Sequence, residues 1–83
     1  MSQLEKLALS FRDARTFRYR DFERMLSGMG FARLKSGATG GSRRKFVHQS
    51  TLRMIWLDEP HDGEMRPAMV SRLQDQLTQL GLL

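Results

Sequence analysis

The chain has 83 residues, of which 40% are hydrophobic and 28% charged, with a net charge of +5 and no cysteine. That length supports one small hydrophobic core, and the missing cysteines exclude disulfide staples and thiolate metal sites. The longest apolar runs are a few residues, well short of the ~20 needed to span a bilayer. Glu5 and Lys6 inside MSQLEKLALSF do not fit a signal peptide. A cytoplasmic protein with no membrane partner is therefore expected. Charge is unevenly spread: residues 17–58 hold nine Lys/Arg against three Asp/Glu, whereas residues 59–83 hold two against four. A basic middle with a mildly acidic end points to a polyanionic partner.

Leu4, Leu7, Ala8 and Phe11 recur at helical spacing, predicting an amphipathic N-terminal helix that ends near Asp13–Thr16. Residues 1–16 are read as a helical extension and 17–83 as the domain proper. Thr16–Tyr19 looks extended. Arg20–Met29 follows as a helix whose core stripe is Phe22, Met25, Leu26 and Met29, closed by Gly30. Phe31–Ser36 alternates apolar and basic residues, as a half-buried strand does. Arg43–His48 is predicted as a second strand, Gln49–Thr51 as a turn and Leu52–Asp58 as a third strand. The short connections imply an antiparallel meander. Glu59–Glu64 reads as a polar loop. Pro67 suits the first turn of a last helix, with Val70, Leu73, Leu77 and Leu80 inward and Gly81 as its stop.

The most unusual stretch is Gly37–Val47, with three glycines in five positions followed at once by Ser42, Arg43, Arg44 and Lys45. A glycine turn can deliver a cationic strand to the surface, because glycine adopts tight conformations at little steric cost. Strand alternation sends Phe46 into the core and Arg43, Lys45 and Val47 the other way. Three antiparallel strands with helices over one face leave the other bare, to present some of Arg33, Lys35, Arg43, Lys45 and Arg53. The expected architecture is an α+β two-layer domain.

Residues 17–83 resemble the HicA family of toxins from toxin–antitoxin modules. The resemblance rests on Met29-Gly30-Phe31 at the helix end, Gly41-Ser42 before a basic strand reaching Phe46, Pro60-His61 after the third strand, and Leu80-Gly81-Leu82 at the close. It implies a fold like the double-stranded-RNA-binding domain, α-β-β-β-α, with residues 1–16 an added helix. It also implies a metal-independent, cofactor-free ribonuclease that cleaves mRNA and arrests growth. Such a toxin is monomeric when free and forms a hetero-oligomer with a HicB-like antitoxin. Most HicA-like sequences carry a histidine considered catalytic after Gly-Ser; this chain has Arg43 there.

Cleavage of RNA without a metal needs a base for the 2′-hydroxyl, a donor for the leaving oxygen and positive charge at the phosphorane. His48 and His61 are the chain's two histidines. His61 matches the family's loop histidine and is the candidate for proton transfer, whereas His48, on the Phe46 side of its strand, reads as structural. Arg43 cannot act as a base but can clamp phosphate bidentately. Ser42, Arg44, Lys45, Lys35, Arg33 and Arg53 are the candidate RNA contacts. Trp56 is expected in the core, although facing outward it could stack a base. Two unpaired histidines give no metal-ligand spacing. The competing expectation is a non-catalytic module of the same fold that binds RNA or receives the antitoxin.

Overall fold

A computed structural model describes residues 2–35 and 41–83. The glycine turn expected at 37–40, with Ser36, lies outside the described residues. Among the described residues, three helices and five strands run in the order α1 (Gln3–Arg12), β1 (Phe17–Arg18), α2 (Tyr19–Gly28), β2 (Phe31–Arg33), β3 (Arg43–His48), β4 (Met54–Asp58), β5 (Glu64–Met65) and α3 (Pro67–Gln79). The three-stranded sheet is antiparallel in the order β2-β3-β4, the expected meander. No described helix is long and apolar enough to cross a membrane.

Helix α1 begins with a capping box: the Ser2 hydroxyl accepts from the Glu5 amide while the Glu5 carboxylate accepts from the Ser2 amide. These bonds hold the Glu5 carboxyl below the usual carboxylate range. Phe11 carries the helix into the core, its ring 4.9 Å from that of Phe17 and 5.2 Å from that of Phe22. Gln74 of α3 fastens the other end, its amide nitrogen donating to the carbonyls of Phe11 at 2.8 Å and Ala14 at 3.0 Å. The Phe11 carbonyl also accepts from the Ala14 amide at 3.2 Å, so Gln74 adds a side-chain bond to an end already closed by the backbone. Helix α1 closes on α2 at Gly28, where an added Cβ would lie 3.0 Å from Leu4 Cδ1. Within the stretch read from the sequence as a helical extension, Leu4, Leu7, Ala8, Phe11 and Ala14 thus join the hydrophobic cluster formed with α2, α3 and the sheet.

Two further features were not foreseen. Of the stretch expected to be extended at Thr16–Tyr19, Phe17–Arg18 forms β1, which pairs with β5, with Phe17 opposite Met65 and both buried, while Tyr19 already opens α2. The loop expected at Glu59–Glu64 therefore ends in a strand. β4 is also shorter than expected, since Leu52 adopts φ 63° in the β3–β4 turn and cannot extend the strand.

The sheet's two faces follow from its register. Arg44 lies opposite Leu57 and Phe46 opposite Ile55, while Arg43, Lys45 and Val47 lie opposite Asp58, Trp56 and Met54. Phe31, Phe46, Ile55 and Leu57 are buried with the helix side chains on the covered face. The opposite, bare face carries Ala32, Arg43, Lys45, Val47, Met54, Trp56 and Asp58. Trp56 is 38% exposed, so the expectation that it is core is corrected: alternation with Ile55 and Leu57, both fully buried, forces it outward.

Candidate nucleic-acid interface

The predicted site residues divide between the two faces. Arg44 is directed to the covered side, its Nε 3.0 Å from Glu59 Oε1 and its NH1 donating to the Gly41 carbonyl at 2.9 Å. Arg33 is also on that side, its NH1 3.1 Å from Glu23 Oε2. The same carboxylate oxygen accepts from the Tyr19 hydroxyl at 3.2 Å. Burial, with the charges of Glu23 and Glu59 adding to it, pushes the Tyr19 phenol up to about 12. Lys35 and Arg53 are exposed beyond the ends of β2 and before β4.

The end of the sheet where β3 starts and β4 finishes brings Ser42, Arg44 and His61 together. The Glu59 amide donates to the Ser42 carbonyl at 2.8 Å and so ties the loop after β4 to the start of β3. The result is an open depression lined by Gly41, Ser42, Arg44, Glu59, Pro60 and His61. His61 is exposed, and among the described residues no hydrogen bond holds its ring. Its neighbour Asp62 does not orient it. The Glu64 amide donates to the Asp62 carboxylate at 3.0 Å and Arg66 pairs with the other oxygen, which together hold that carboxyl below its usual range. Arg43, expected as a phosphate clamp beside His61, does not line this depression. One step of alternation along β3 turns it to the bare face, where its Nε sits 2.8 Å from Asp58 Oδ1.

On the bare face, Lys45 stands opposite Trp56, and the guanidinium of Arg43 lies 3.9 Å from the indole centroid. Arg72 reaches the same ring at 4.5 Å from α3, anchored by a 3.1 Å bond to the Trp56 carbonyl. Arg72 was not singled out from the sequence, because an exposed arginine on a helix carries no signal of the strand it reaches. Met54 and Leu34 add exposed apolar surface beside this group.

His48 is held by the fold. Its Nε2 is 2.9 Å from the Met29 carbonyl, and its Nδ1 accepts from the Ser50 amide at 3.2 Å and the Thr51 amide at 3.3 Å. With Nδ1 accepting from those amides, Nε2 is the nitrogen that donates to the Met29 carbonyl. No family model, no curated protein and no solved structure matches this chain.

Proposed function

We propose that this protein is a HicA-like toxin, a ribonuclease that cleaves mRNA without a metal and is held inactive by an acidic HicB-like antitoxin. The observation that carries the reading is the shared depression of Ser42, Arg44 and His61. The Gly-Ser turn and the Pro-His loop lie far apart in the sequence and meet at one end of the sheet. There the His61 imidazole would take the proton of the RNA 2′-hydroxyl as its oxygen bonds to phosphorus. The bond from phosphorus to the 5′-oxygen then breaks, water protonates that oxygen, and a 2′,3′-cyclic phosphate is left. The Arg44 guanidinium, steered by Glu59, would face the extra negative charge of the phosphorane. Removing one such electrostatic contact costs roughly 10²–10³ in rate.

The test compares expression of wild type with Arg43→Ala, Arg44→Ala and His61→Ala, scoring growth arrest and RNA integrity in EDTA. His61→Ala and Arg44→Ala should abolish both effects, and co-expressed antitoxin should suppress the wild type. If purified wild-type protein leaves RNA intact, or the His61→Ala variant kills as well as wild type, the catalytic reading fails.

Arg43, where most HicA-like sequences carry histidine, favours a second reading: a module that binds RNA without cutting it. RNA would then be retained intact, with an affinity that falls steeply with salt.

A further inference from the structure

We infer that the bare sheet face holds an unpaired RNA base against Trp56, with the strand's phosphates on Lys45, Arg43 and Arg72. This inference rests on the RNA reading above and adds the form of RNA recognised and the residue that recognises it. The sheet's cations are handled differently on its two faces. On the covered side Arg33 and Arg44 each meet a carboxylate, that of Glu23 and that of Glu59. On the bare side three cations gather about a single indole with Asp58 as the one acid among them, leaving a local excess of positive charge.

Both guanidiniums lie over the indole, so a base stacks by taking the place of that of Arg43, which is half exposed and stays tied to Asp58, while the Trp56 carbonyl and Gln76 keep Arg72 in place. Each keeps further N–H groups for phosphate, to which arginine binds in a bidentate fashion. In the row beside Trp56 and Lys45, Ala32, Val47 and Met54 lie across the strands without any charge. A ligand suited to this surface offers a flat apolar ring next to repeated negative charge, which describes a nucleotide strand. A duplex hides its base faces, so the ring must come from unpaired RNA. Arg43 adjoins Ser42 and Arg44 in the chain, and Asp58 adjoins Glu59. A strand stacked at Trp56 can therefore continue past Arg43 into the His61 depression.

Trp56 is the only tryptophan, so its fluorescence reports this face alone. The full chain is titrated with a 12-nucleotide, end-labelled 2′-O-methyl RNA that cannot be cleaved, as a single strand and as a duplex. Label anisotropy and indole emission are read together. The single strand should quench Trp56 with the same midpoint as the anisotropy rise, and the duplex should not quench. Trp56→Ala should weaken single-strand binding roughly 5- to 150-fold, the range of one lost stack, while Trp56→Phe should keep most of the affinity. Lys45→Ala should lower the salt slope by about 0.7. If anisotropy rises while the indole is silent and Trp56→Ala binds like wild type, the stacking inference falls and the RNA reading stands. If neither RNA changes the anisotropy, both fall. If a duplex quenches as strongly as the single strand, the unpaired-base assignment is wrong. Quenching by an acidic protein partner but by no RNA would give this face to a protein instead.

Discussion

Leu57 and Trp56 are consecutive residues on β4, yet one is fully buried and the other is 38% exposed. The difference is that of the two faces. The covered face is a packed core whose buried residues are all hydrophobic, with the ion pairs Arg33–Glu23 and Arg44–Glu59 at its partly exposed margin. The bare face uses its largest aromatic to collect guanidiniums. Apart from the depression at its end, one face is closed by packing, and the other is open. Stability should therefore follow the first and stacking of single-stranded RNA the second.

The largest stability losses should come from the covered side. Phe11→Ala should cost about 3–5 kcal/mol and Leu57→Ala about 2–5, values typical of large-to-small core substitutions. Against a total of roughly 5–15 kcal/mol for a native domain, either loss is severe. Trp56→Ala, one residue from Leu57, should cost less than about 1.5 kcal/mol, because the indole already meets water. Urea melts of the three variants make the comparison. A Trp56→Ala loss equal to that of Leu57→Ala would show that the bare face is core after all. A harmless Phe11→Ala would show that α1 adds little to the common core.

Gly30 comes next. Its φ of 101° is a conformation in which other residues are strained, and an added Cβ would lie 3.1 Å from His48 Nε2. Gly30→Ala should cost about 1–3 kcal/mol and loosen the His48 bond to the Met29 carbonyl, seen as faster exchange of the Nε2 proton by NMR. An unchanged melt and an unchanged proton would mean that His48 does not hold this end of the sheet.

Much of this division was legible in the sequence. Alternation along Arg43–His48 already separated Phe46 from Lys45, and the helical stripes named the helices' share of the core, from Phe11 through Met25 to Leu77. Trp56 was misplaced because its size and apolarity argue for burial. Alternation says only that Trp56 and Ile55 face opposite ways, and which side the helices cover is decided by the whole chain. The β1–β5 ribbon escaped for a related reason: two-residue strands have no period to read, and Phe17 and Met65 are 48 positions apart. Likewise, the depression joins residues from two strand ends that only the antiparallel register brings together, and the same register separates Arg43 from Arg44.

A smaller effect separates the faces by pH. Tyr19 is the only tyrosine, and its phenol titrates near 12 rather than the ordinary 10. Between those values the folded chain holds a proton that the unfolded chain has lost, so this contribution to stability is complete below pH 10 and disappears as pH rises toward 12. Absorbance at 295 nm should show a midpoint near 12 in the native protein and near 10 in 8 M urea. Glu23→Gln should lower the native midpoint, since it removes a carboxylate charge beside the phenol. Asp58→Asn on the bare face should leave it unchanged.

That last variant has the smallest expected effect on stability and the clearest meaning for the bare face. The Arg43–Asp58 pair is half exposed at both ends, and such pairs contribute about 0–1 kcal/mol. Asp58→Asn should therefore shift the urea midpoint by only a few tenths of a kcal/mol, and less as salt is added. Its effect on single-stranded RNA should be the opposite of a loss. Removing the acid paired with Arg43 frees its guanidinium to move from the indole to a phosphate when a base stacks. Affinity should rise a few-fold at low salt and return toward wild type as salt screens the added charge. If affinity falls instead, Arg43 needs its carboxylate tether more than its free charge, and Trp56 alone does not organise that face.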